Sequence, residues 1–133
     1  MTRRAWVLNL DADQELAIGP GYSPPKASAA QLAVHARALA ETLPAGDLWV
    51  DGEDDAAGLA GACWCPTPRA LARLTEVGAS IPEAPTFDVL RRVNGRAFSH
   101  GLLALEGERR LEDPASARAL LAGGSWIVHR EHT

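Results

Sequence analysis

The sequence predicts an α/β fold, a three-layer sandwich built on a mostly parallel sheet of about four or five strands. Short apolar runs alternate with stretches of helical periodicity along the chain, the order that layers helices against a sheet. Helical stretches begin at capping residues and stop at Gly or Pro, which marks them as separate crossovers rather than one long helix. The 133 residues, 47% of them apolar, suffice for one core without disulfides, so residues 1–133 read as a single domain. Strands separated by helices pair in parallel, because each crossover returns the chain to the same edge.

Trp6-Val7-Leu8-Asn9-Leu10 is the first strand. Gly19-Pro20-Gly21-Tyr22-Ser23-Pro24-Pro25 follows as a loop, since Pro and Gly at that density oppose both ladder and helix. Ser28 with Gln31 forms a capping-box pattern, and Leu32, Ala36, Leu39 and Leu43 set a helix over residues 29–43, stopped by Pro44 and Gly46. Asp47-Leu48-Trp49-Val50-Asp51 and Gly61-Ala62-Cys63-Trp64-Cys65 read as the second and third strands. Thr67 then Pro68 is an N-cap with proline at the first helical position, and that helix runs through Leu71 and Leu74 to Gly78. Pro82 and Pro85 keep residues 81–85 extended. Thr86 caps a further helix with the stripe Phe87, Leu90, Val93, Ala97 and Phe98, weakened at Gly95 by about 1 kcal/mol relative to alanine. Leu102 to Leu105 fits either a fourth strand or a hydrophobic turn. Asp113-Pro114 opens the last helix, ended by Gly123 and Gly124, and residues 125–131 read as a final strand. That strand resembles the opening of a further domain, so the chain reads either as a fragment or as a domain standing alone.

Charge and composition exclude some classes. A net charge of −4 opposes a phosphate-backbone partner, which needs clustered Lys and Arg, so no nucleic-acid role is expected. Apolar runs fall far short of the 18 or so residues of a membrane span, and the start leads directly into a strand. The expectation is a soluble, cytoplasmic protein. Aromatics are only 5%, which predicts a core of small aliphatic contacts.

The chemistry of nucleotide binding is missing from the usual places. No G-x-G-x-x-G follows the first strand, no phosphate-binding G-x-x-x-x-G-K-[ST] occurs, and Lys26 is the sole lysine. Asp11, Asp13 and Glu15 follow the first strand, and Asp51, Glu53, Asp54 and Asp55 the second. In a parallel sheet both groups lie at one edge, where carboxylates could hold Mg²⁺ or a cationic or hydroxyl-bearing ligand. Acidic residues also populate exposed loops and helix starts with no such role. Cys63 and Cys65, two apart on a strand, share one face and are the candidate metal thiols, half of a zinc site that His129 and His132 could complete. Cysteine is among the most buried residue types and needs no function in a core strand, and a disulfide at that separation is strained. His35 falls on a helix stripe and His100 has no obvious carboxylate partner. Trp6, Trp49, Trp64 and Trp126 fall one to a strand, as packing residues whose indole N–H groups need acceptors.

The order of elements, with Trp64-Cys65-Pro66-Thr67-Pro68-Arg69-Ala70-Leu71, Leu90-Arg91-Arg92-Val93-Asn94-Gly95-Arg96-Ala97-Phe98 and Trp126-Ile127-Val128-His129-Arg130, resembles the amino-terminal part of ATP-grasp-type proteins, a Rossmann-like domain that precedes the two lobes clasping ATP. The resemblance implies a non-catalytic domain of a carboxylate–amine ligase that contributes to a substrate site or to dimer contacts. Asp11, Asp13, Asp51, Glu53 and Arg130 would be its ligand-facing residues. ATP and Mg²⁺ would belong to the full-length parent and no cofactor to this chain. Where the family's final strand delivers a nucleotide-contacting lysine, His129 and Arg130 stand here, and neither reproduces lysine. The partners implied are a second copy in a homodimer or a missing carboxyl-terminal ATP-grasp domain. The alternative is a stand-alone interaction module that dimerises or binds protein through exposed apolar surface near Phe98 or Trp126.

Overall fold

A computed structural model describes residues 2–52 and 54–128. Among them the elements run β1 (Arg4–Val7), α1 (Ala12–Ile18), α2 (Lys26–Ala40), β2 (Leu48–Trp49), β3 (Ala60–Cys63), α3 (Pro68–Glu76), α4 (Phe87–Asn94), α5 (Arg96–Leu102) and α6 (Pro114–Ala122). The fold is α/β and its sheet is parallel. The strands lie in the order β2-β1-β3, with Ala5 opposite Leu48 on one side and Gly61 on the other. Beyond β3, Ala60 forms a single parallel bridge with Ser80. Gly61 donates to the Ser80 carbonyl at 2.9 Å, and Ser80 donates to that of Leu59 at 3.0 Å. The chain thus steps from β1 to one side and then to the other, making the gap between β1 and β3 the topological switch point.

Small residues allow this close layering. Ala5, Val50, Ala56, Leu74, Val77 and Ala79 form the core, with Val7, Leu48 and Leu59 packed on it. The core therefore sits between the sheet and α3, as the alanine-rich composition implies. α3 begins as its cap predicts, Thr67 Oγ1 accepting from the Ala70 amide at 3.5 Å with Pro68 at the first helical position. α4 packs on α1, where Arg91 Nε donates to the Leu16 carbonyl at 2.8 Å. α2 exposes most of its length and buries only Ala36.

Several expectations are corrected. Three strands are present among the described residues rather than four or five. Leu103 to Leu105 is the turn of the two alternatives, for α5 ends at Leu102 and the Glu108 amide donates to the Leu105 carbonyl at 3.0 Å. Residues 125–128 form no strand; a strand exists by pairing, and Ile127 stays 84% exposed. The rest of that expected strand, residues 129–131, lies outside the described residues. β1 covers Arg4–Val7 rather than 6–10, because Asn9 leaves the ladder to bond with its side chain. The helix expected over 29–43 starts at Lys26 behind Pro25, with no side-chain cap from Ser28, and ends at Ala40. The helix expected from Thr86 through Phe98 divides at Gly95, whose φ of −75° and ψ of 145° are extended. Asp11 stands at the N-cap of a two-turn helix that carries Asp13 and Glu15.

Candidate functional site at the carboxyl edge of the sheet

Asn9, just past β1, fastens the switch point. Its Nδ2 donates to the Cys65 carbonyl at 2.7 Å and to Thr67 Oγ1 at 3.2 Å, while its Oδ1 accepts from the Cys65 amide at 3.1 Å. The end of β1 is thereby tied to the turn that leads from β3 into α3. Chain leaving β1 then turns into α1, which carries Asp11, Asp13 and Glu15 over the same edge.

Asp11 and Glu15 are buried, and each is directed at the start of α3. Glu15 Oε1 accepts from the Arg69 backbone amide at 3.1 Å, so it supplements the Thr67 cap at the positive end of that helix. Asp11 Oδ2 pairs with Arg69 Nη1 at 3.1 Å. The Arg69 guanidinium lies over the Tyr22 ring, 5.2 Å from its centroid, and the Tyr22 hydroxyl donates to Gln14 Oε1 at 2.9 Å. Burial, followed by the proximity of Asp11, raises the Tyr22 pKa, so the hydroxyl stays protonated. Glu15 is only 3% exposed, yet its Oε2 has no hydrogen-bond partner.

The two thiols lie on the turn side of this cluster, partly buried. Burial, with a smaller contribution from Cys65, pushes Cys63 up to about 11. Burial raises Cys65 too, followed by the negative field of Asp13 and Glu15. Both cysteines are free, and among the described residues no three His, Cys, Asp or Glu side chains are grouped to hold a metal ion. The completing histidines His129 and His132 lie outside the described residues. His100, expected without a carboxylate, has one: its Nδ1 lies 2.9 Å from Glu108 Oε1.

Of the ligand-facing residues expected from sequence, Asp11 is central to the switch point and Asp13 is exposed on α1 beside it. Asp51 is exposed after β2, where its amide bonds the Asp54 carboxylate. Glu53 and Arg130 lie outside the described residues. Glu15, one of the acids expected at this edge, completes the arrangement together with Asn9, Tyr22, Thr67 and Arg69, which the sequence did not mark as site residues. The available signal was a polar Asn closing an apolar run, and an acidic i, i+4 pair that a short helix brings to one face.

Two apolar grooves lie elsewhere. One of about 650 Å³ runs between α4 and α5, flanked by Arg91, Arg92 and Phe98, and one of about 360 Å³ runs along α6 under Trp126 and Ile127. Comparison with protein-family models, with curated proteins and with solved structures finds no match to this chain.

Proposed function

We propose that this chain is a non-catalytic amino-terminal domain of an ATP-grasp-like carboxylate–amine ligase and lends its switch-point edge to a substrate site. The strand order and the ligand-facing geometry of a parallel sheet's carboxyl edge support the reading. Glu15 carries it. A buried carboxylate oxygen without a partner costs about 1–3 kcal/mol or more, and groups of that kind concentrate where a fold serves function rather than stability. The edge does not fit a triphosphate: Asp11, Asp13 and Glu15 lie at it, and the Arg69 guanidinium is already paired with Asp11. ATP and Mg²⁺ are therefore assigned to other lobes.

The test is an amide-shift screen of the ¹⁵N-labelled chain against amino acids, amines, carboxylates and Mg·ATP. A small ligand should move the Asn9, Glu15 and Arg69 amides, and Mg·ATP should leave them in place. Silence from every small ligand, or a Mg·ATP response at this edge, sinks the reading.

A second reading, a dimerising interaction module, is favoured by one observation. Ile127 and Val128, which line the α6 groove, are 84% and 69% exposed, and exposed apolar surface around a groove marks interaction sites.

A further inference from the structure

We infer that the Arg69 guanidinium is a built-in, displaceable stand-in for a ligand's cation, and that the switch point binds a small organic cation, an ammonium or guanidinium group. The inference rests on the reading of this edge as a ligand site and assigns the sign of the charge it takes.

Four observations support it independently of any family likeness. Three carboxylates, Asp11, Asp13 and Glu15, lie at the edge, against the Arg69 guanidinium there and that of Arg91, which is held at the Leu16 carbonyl on α1, so the carboxylates outnumber the cations and the local field favours cations over anions. The feature that would favour an anion, the amino end of α3, is already occupied: Glu15 Oε1 takes the Arg69 amide and Thr67 Oγ1 that of Ala70. Glu15 Oε2 is a buried acceptor without a donor. The Tyr22 ring, held by its hydroxyl on Gln14, presents a face on which Arg69 now rests and on which another cation could rest equally.

Arg69 is suited to leave. Its side chain is 42% exposed and its guanidinium is held by Asp11 and the Tyr22 face. Its amide, which serves Glu15, stays in the helix whatever the side chain does. A ligand ammonium or guanidinium that took Asp11 and the ring would release Arg69 to solvent and bring a donor to Glu15 Oε2. Both partners Arg69 loses would be regained by the incoming group. The cost is the competition itself: apparent affinity falls by the fraction of time Arg69 holds its place.

This predicts a response opposite to that of an arginine that grips a ligand. The Arg69 amide donates directly to Glu15, so its ¹H–¹⁵N shift reports on the site. The probes are methylguanidinium and 1,4-diaminobutane against acetate, inorganic phosphate and MgCl₂, at low ionic strength so that charge is not screened. Both organic cations should shift the amides of positions 9, 15 and 69. Arg69→Ala should tighten their binding by about tenfold, the factor for a stand-in bound nine-tenths of the time. Glu15→Gln should weaken it at least as much. Should Glu15→Gln fail to fold, Asp13→Asn, which alters an exposed side chain, should weaken binding about threefold, as expected for one solvated charge. Loss of cation binding in Arg69→Ala overturns the inference, as does a Mg²⁺ response with the same Glu15 dependence. Acetate or phosphate shifting these amides, with loss in Arg69→Ala, overturns the cation assignment while leaving the ligand edge standing. No shift with any probe overturns both.

Discussion

Asn9 joins positions 56 and 58 residues away through three hydrogen bonds to Cys65 and Thr67, of which Thr67 is fully buried and Cys65 half-buried. Asn9→Ala should destabilise the fold by about 2–4 kcal/mol, the sum of lost bonds and of stranded Cys65 backbone groups; a lowered urea midpoint with an unchanged slope checks it. In sequence Asn9 looks like one polar residue in an apolar strand, because its partners are fixed by topology and not by spacing. Glu15 is legible in the sequence as one of the acids after the first strand, while its bond to the Arg69 amide 54 residues on is not. Asp11 was visible as an acid at the right edge, while its pairing with Arg69 was not. The thiols give a second prediction. Cys63 is raised from 9.0 to about 11 by burial, so native chain should react slowly with iodoacetamide at pH 8 and rapidly once unfolded in urea. A folded pKa above the unfolded one stabilises fully below the unfolded value and less as pH climbs through the folded value. Stability should accordingly decline between pH 9 and about 11, and Cys63→Ala should flatten that decline. A steep native reaction at pH 8 would contradict the buried, protonated thiol.

Elements whose starts are chemically marked were the legible ones. Thr67-Pro68, Thr86 and Asp113-Pro114 each cap a helix at the expected place, with side chains accepting from Ala70, Val89 and Ser116 amides. α1 was illegible because seven residues give too few turns for a periodic stripe, and its N-cap Asp11 spends its carboxylate on Arg69 instead of its own helix. Strand ends were overdrawn because apolar runs extend past the ladder that defines a strand, as at Leu8 and Leu10. The fourth position of the sheet, the Ala60–Ser80 bridge, hinges on Gly61. A Cβ there would drive into the Ser80 carbonyl and stand 2.9 Å from Leu74 Cδ1, and both neighbours are fixed, one by the ladder and one by complete burial. Gly61→Ala should therefore cost about 3 kcal/mol, the upper range for overpacking. Gly101→Ala, with nothing within 4 Å of its new methyl, should not destabilise and serves as the control. Equal melting temperatures for the two variants would show that Ser80 can yield and that the bridge is not a constraint.

Across the whole molecule, burial is uneven, and this bears on which reading of the chain is right. The core cluster draws on residues 5 to 79, and Leu90 of α4 is buried as well, whereas from Arg96 to Val128 no described residue is buried. α6 holds its own hydrogen bonds and its Asp113 cap but contributes no side chain to the core. Helices without tertiary packing are marginal in water at this length. In dilute solution the α6 amides should thus exchange roughly a hundredfold or more faster than those of β1 and α3. If α6, Trp126 and Ile127 form a surface for a second copy, protection must depend on concentration: raising the chain from micromolar to several hundred micromolar should slow α6 exchange and carry the light-scattering mass toward twice that of the chain. Leu121→Glu with Ile127→Lys places charge on two exposed positions, so it should abolish both effects without moving the melting temperature. Slow α6 exchange at every concentration would mean that the helix is stabilised within one chain. Fast exchange with constant mass would leave the apolar surface unpaired between copies and would overturn the dimerising reading.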